Sequence, residues 1–233
     1  MKDLSFLKER YYVCKGIYDN KNVYENTLEA IKVALRKNKA MYLTVCETKD
    51  KKLIVCEEDV LIRIQNQKDA LNDMTYEELS FLSFYHIPLL EEVLEITKNV
   101  PIILNLKIKK NEKLFELLDK YEGKFAIIST NSKIINWVNK NRESYIIGEV
   151  VTKRKVFNLN FYFVKSDFKS YNIEYIDKVK LKKMRESSIV LGYLINNKTK
   201  LKMYNNLFDS LIIDNYFGIT KKQGGYNGKI ICW

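Results

Sequence analysis

Short apolar runs, four to seven residues long, alternate along this chain with longer stretches in which apolar residues recur every three or four positions. The runs are Tyr11–Lys15, Met41–Cys46, Leu53–Cys56, Ile102–Lys107, Phe125–Ser129, Tyr145–Val151, Phe161–Lys165, Ile189–Ile195 and Ser210–Asp214. Rich in Ile, Val, Leu and Tyr and bounded by polar turns, they read as strands buried on both faces. Between them, Asn26-Thr27 can cap a helix reaching about Lys37, with Leu28, Ile31, Val33, Ala34 and Leu35 apolar. Further helices are predicted over Thr75–Phe84, Pro88–Lys98, Glu112–Tyr121, Ser132–Asn141, Leu181–Glu186 and, more weakly patterned, Lys198–Asn205. Strands alternating with helices predict parallel βαβ units. The turn Thr48-Lys49-Asp50-Lys51-Lys52 is short enough to join its two flanking strands as a hairpin.

Length adds that one α/β domain over residues 1–233 is the expected organisation, with no linker, repeat or low-complexity tract. The first residues hold no signal-peptide run, and no apolar stretch is long enough to span a bilayer, so the chain reads as cytoplasmic. Four scattered cysteines show no CxxC pair or disulfide framework. The net charge of +11 is lopsided: residues 1–149 carry 24 Lys and Arg against 23 Asp and Glu, residues 150–233 carry 16 against 6. Such a basic last third invites an anionic membrane or nucleic acid, but solvated faces of amphipathic helices explain it as well. The 16 tyrosines interleave with lysines, yet no nucleic-acid motif accompanies them, so no specific nucleic-acid partner is expected.

Three segments carry a resemblance. YYVCKGIYDNKNVYENT (11–27), MYLTVCETKDKKLIVCE (41–57) and PIILNLK (101–107) resemble, in order and spacing, stretches of the glycerophosphodiester phosphodiesterase family. Asp73–Leu79, Ile87–Leu94, Lys124–Ser129, Ile134–Asn141, Tyr193–Asn196 and Ile212–Asp214 extend the likeness through most of the chain. The resemblance implies a single (β/α)8 TIM-type barrel. Nine strands are one more than such a barrel needs, so one strand of the hairpin is accessory.

The resemblance also implies a site, and here the chain departs from the pattern. Where the family carries His, Glu, Asp, His and Glu, this chain carries Cys14, Tyr42, Thr44, Cys56 and Asn105. Lys15 keeps one positive charge beside the conserved glycine, and Lys107 keeps the lysine of the family's Glu-x-Lys. A hard dication wants several oxygen ligands, ionised carboxylates foremost, and Tyr42, Thr44 and Asn105 are neutral at pH 7. Proton transfer at both ends of a phosphodiester needs groups titrating near neutrality, which thiols at Cys14 and Cys56 do not supply. The expectation is therefore a pseudoenzyme with a binding or regulatory role, its mouth holding an anionic, phosphate-bearing small molecule at Lys15 and Lys107. No cofactor is expected, Ca²⁺ or Mg²⁺ entering only if hydrolysis persists. One alternative is a residual or altered phosphoric diester hydrolase of lipid metabolism, using Glu57 or Asp214 as substitute ligands or a cysteine as nucleophile. Another is a thiol pair, Cys14 with Cys56, binding a soft metal or cycling redox state.

Overall fold

The computed structural model describes residues 2–57, 59, 71–109, 111–153, 165–214 and 216. Nine strands run β1 (Tyr11–Cys14), β2 (Ala40–Glu47), β3 (Leu53–Val55), β4 (Ile102–Leu106), β5 (Phe125–Ser129), β6 (Ile146–Val151), β7 (Phe168–Asn172), β8 (Ile189–Ile195) and β9 (Ser210–Ile213). Eight of them are parallel and follow one another around a circle, and β1 pairs with both β2 and β9 to close it. The outlier is β3, antiparallel to β2 across the Thr48–Lys52 turn and attached as the accessory strand. The described helices are α1 (Leu28–Arg36), α2 (Tyr76–Leu82), α3 (Leu90–Ile96), α4 (Glu112–Asp119), α5 (Ser132–Asn141), α6 (Lys178–Arg185) and α7 (Lys198–Tyr204). The architecture is the (β/α)8 barrel that the resemblance implied.

Local chemistry explains where these elements begin. Thr27 accepts from the backbone of Ala30 at 3.2 Å to start α1, and Thr75 with Glu78 forms a reciprocal capping box at α2. Asn111, Asn131, Asp177 and Asn197 cap the helices that follow them in the same way. Alternation along each strand separates two apolar layers. Met41, Leu43, Val45, Ile102 and Leu104 face outward into a core beneath the helices. Tyr12, Ala40, Tyr42, Ile103, Ala126, Ile128 and Phe168 fill the barrel interior. A 3-10 turn over Ser5–Lys8 adds Phe6 and Leu7 to that interior ahead of β1, and the buried Tyr12 hydroxyl donates to the Phe6 carbonyl at 2.6 Å. Gly148 leaves room for the Phe168 ring, which lies 2.3 Å from where a Cβ at that position would stand.

One barrel strand falls where none was expected from the sequence. Phe161–Lys165 lies outside the described residues except for Lys165, which is not in a strand, and the seventh barrel strand is Phe168–Asn172. Its sequence, FKSYN, breaks the apolar pattern for a structural reason. Lys169 is buried against Glu149, its register partner on β6, at 3.8 Å, and Ser170 and Asn172 line the barrel mouth. Residues 217–233, which include the Gly-containing tail, also lie outside the described part. Among the described helix lysines of the last third, Lys178, Lys182, Lys183 and Lys202 are exposed, while Lys200 pairs with Glu174. No helix among the described residues is long and apolar enough to cross a membrane.

Candidate functional site

Strand register assembles the mouth. Parallel pairing sets Cys14 beside Tyr42 and Thr44 beside Asn105, and alternation turns Tyr42, Thr44 and Asn105 toward the barrel axis. All three are buried. The Thr44 hydroxyl donates to Glu57 at 2.6 Å, and the Asn105 amide nitrogen lies 3.4 Å from the same hydroxyl oxygen. A threonine hydroxyl has one proton. With that proton committed to the Glu57 carboxylate, Thr44 can only accept from Asn105, which fixes the orientation of the amide. Asn105 Oδ1 is left buried without a hydrogen-bond partner among the described residues.

Above this layer lies a cavity of about 270 Å³, lined by Tyr42, Glu57, Asp59, Asn105, Lys107, Thr130, Val150, Ser170, Asn172, Tyr175 and Tyr193. The rings of Tyr42 and Tyr193 meet with centroids 5.7 Å apart and planes inclined at 46°. Burial pushes the Tyr42 phenol well above its ordinary value, with Tyr193, Cys14 and Glu57 adding to the shift. Tyr193 is raised likewise, first by burial and then by Cys14 and the carboxylates of Glu57, Asp214 and Asp59. The Lys107 ammonium has no carboxylate within ion-pair distance among the described residues. A larger cleft of about 470 Å³ lies elsewhere, beside the segment that precedes β1, lined by groups such as Lys2, Phe6, Asp119 and Tyr145. None of the predicted site residues reaches it.

Lys15 is placed differently from Lys107. Its ammonium lies 3.3 Å from Asp214 Oδ2 and 3.6 Å from Glu25 Oε2, and Tyr18 donates a short hydrogen bond to the other oxygen of Asp214. Lys15 is thus neutralised by two carboxylates and is absent from the cavity lining. Backbone geometry enforces this: Lys15 and Gly16 both have positive φ, 65° and 80°, and a Cβ at Gly16 would stand 2.7 Å from the Ala30 backbone. The glycine is required, and the turn it allows aims Lys15 at Glu25. Sequence reasoning missed Tyr18 and Glu25, because an acid opening a helix segment reads as a solvated residue. His86, the only histidine, is exposed and faces Glu92 at 3.1 Å.

Cys14, Cys46 and Cys56 are buried thiols, none of them in a disulfide. The Cys46 thiol donates to the Cys56 carbonyl at 3.2 Å. Burial holds the Cys14 thiol well above its ordinary value, with Glu57 and Asp214 adding to the shift and Lys15 opposing it. A protonated, buried thiol is a weak nucleophile. In the folded protein at pH 8, iodoacetamide is expected to leave Cys14 and Cys56 unmodified over an hour while denaturant exposes both, as read by peptide mass spectrometry. Rapid labelling of Cys14 in the native state would contradict this burial. Among the described residues, no group of three or more His, Cys, Asp or Glu converges as a metal site.

Set against known proteins, the barrel and its mouth have clear relatives. The sequence profile of the glycerophosphoryl diester phosphodiesterase family matches residues 18–184. This chain belongs to that family of phosphodiesterase-type barrels. Among curated relatives, a glycerophosphodiester phosphodiesterase of Bacillus altitudinis is 38% identical over 102 residues, 39% of this chain and 42% of that protein. Another, from Caldanaerobacter subterraneus subsp. tengcongensis, is 30% identical over 151 residues, 56% of this chain and 62% of the relative. The chain thus spans less than two thirds of the length of either. The crystal structure of a Thermotoga maritima glycerophosphodiester phosphodiesterase superposes with a TM-score of 0.69 at 17% identity, covering 88% of this chain and 94% of that one.

Proposed function

We propose that this family member binds a phosphate-bearing small ligand in its barrel mouth without hydrolysing it. The observation that carries the reading is the Thr44–Glu57–Asn105 chain of hydrogen bonds. Two of the positions that the resemblance assigns to metal-binding carboxylates are tied up there as neutral groups. Ca²⁺ or Mg²⁺ requires several hard oxygen donors with enough negative charge to balance it. The donor set offers a hydroxyl, an amide and a phenol held neutral by burial, with Glu57 alongside and Asp59 exposed nearby. That set does not fit the dication. Proton transfer is equally unsupported, since Cys14 sits where a histidine is usual and is held as a neutral thiol. Lys107 retains the anion-binding role as an ammonium at the cavity wall, without an ion-pair partner among the described residues.

The assay is release of alcohol from glycerophosphodiesters with Ca²⁺, Mg²⁺ or Mn²⁺ supplied. Turnover at the buffer background is expected, because each lost catalytic group costs about 10²–10⁴ in rate. Metal-dependent turnover abolished by Lys107→Ala would overturn the reading. Equilibrium dialysis with inorganic phosphate should show binding that Lys107→Ala removes.

A further inference from the structure

Away from the mouth, the flank formed by α6 and α7 combines cations with exposed apolar side chains. Residues 174–206 hold eight Lys and Arg against three Asp and Glu. Two of those acids are already engaged: Glu174 pairs with Lys200, and Asp177 accepts from the backbone nitrogens of Val179 and Lys180 to open α6. Lys178, Lys182, Lys183 and Lys202 are exposed and make no ion pair among the described residues. Beside them stand two large apolar side chains, Val179 at 80% exposure and Met203 at 61%. Helical spacing puts Val179 with Lys182 and Lys183 on one face of α6, and Thr199 with Lys202 and Met203 on one face of α7. The helices are neighbours on one support. Leu181 and Met184 share an apolar cluster with Leu201 and Tyr204, and Arg185 reaches the Leu207 carbonyl at 3.1 Å and Asp209 at 2.9 Å, just beyond α7.

We propose that this flank docks on an anionic lipid surface, its lysines meeting the headgroup phosphates while Val179 and Met203 enter the headgroup–acyl boundary. Charge complementarity selects an anionic partner. The apolar pair selects lipid over nucleic acid. A phosphate backbone rewards cations but gives an aliphatic side chain nothing to bury in, whereas a bilayer interface does. Lysine suits the arrangement, because its hydrocarbon stem lies along apolar neighbours while the ammonium stays at the level of the phosphates. Attachment by so few groups is reversible, and it differs in kind from a membrane-spanning anchor. No residue of α6 or α7 lines the mouth cavity, so docking is separate from whatever the mouth binds.

Vesicle flotation of the full chain tests this, with phosphatidylcholine alone, with phosphatidylcholine carrying about one third phosphatidylglycerol, and with duplex DNA in a parallel gel-shift, each at low and high salt. Partition onto the anionic vesicles is expected to exceed that onto neutral ones by about tenfold or more and to fall as salt rises. Lys182→Gln with Lys183→Gln and Lys202→Gln should lower it about a hundredfold, at roughly fivefold for each lysine. Val179→Ser with Met203→Ser should lower it about tenfold while leaving its salt dependence unchanged. The substituted side chains are all exposed, so the variants keep the fold, which circular dichroism checks. A folded protein that leaves anionic vesicles unbound overturns the proposal, as does vesicle binding that the lysine variant retains in full. Duplex DNA binding tighter than vesicle binding, and indifferent to the Val179 and Met203 substitutions, overturns it in favour of nucleic acid.

Discussion

Raising the pH from 10 to 11 is expected to unfold the barrel in one cooperative step, with the tyrosines ionising together. Tyr12 and Tyr42 are buried in the barrel interior and Tyr193 packs against it, and burial is the largest cause of the upward shift in all three. Tyr18, whose hydroxyl donates to Asp214, shifts the same way, first through burial and then through that carboxylate. A phenol whose folded value exceeds its unfolded value of about 10 keeps its proton in the barrel and loses it in the open chain. Its contribution to stability is complete below pH 10 and drains away as the pH climbs toward the folded value. At pH 11 each such group favours the unfolded state by about 1.4 kcal/mol, so the four remove about 6 kcal/mol. That is a large share of a typical domain's 5–15 kcal/mol. Absorbance at 295 nm should therefore rise in step with the loss of far-UV circular dichroism. A graded rise with the fold intact would show that these phenols reach water.

Lys15→Met is expected to cost about 3–5 kcal/mol, the range seen when one partner of a buried ion pair is removed. The side chain of Glu25 is 1% exposed and that of Asp214 16%, so two carboxylates would lose their common cation in a poorly solvated turn. Methionine preserves the stem, so packing loss is small. Adding Glu25→Gln distinguishes this cause from a packing defect: it should recover part of the loss, since the charges are coupled. Urea unfolding of the three proteins at pH 7 provides the measurement. A loss under about 1 kcal/mol would mean that solvent screens the cluster.

Much of the barrel could be read along the chain because its strands are buried on both faces and its helices open with polar caps. Thr27 and Thr75 announce α1 and α2, and the Thr48–Lys52 turn announces the hairpin that makes β3 accessory. The seventh strand escaped because periodicity registers hydrophobicity, and FKSYN buries a lysine whose partner, Glu149, stands on the neighbouring strand. The candidate site was legible as a set of positions, since the resemblance names Cys14, Tyr42, Thr44, Cys56, Asn105 and Lys107. It was not legible as a set of contacts.

By itself the sequence determined the kind of fold, a parallel α/β chain with a hairpin after its second strand, and the types of side chain standing at the mouth. Those follow from local patterns, which neighbouring residues carry in full. Only the tertiary structure decided that Lys15 turns to Glu25 and Asp214 while Lys107 is left at the cavity, and that Thr44 spends its proton on Glu57. Those outcomes depend on strand register and on turn dihedrals at positive φ, which join residues up to 199 positions apart. Charge and hydrogen-bond capacity are properties of residues, but which of them cancel is a property of distance, and distance is set when the barrel closes.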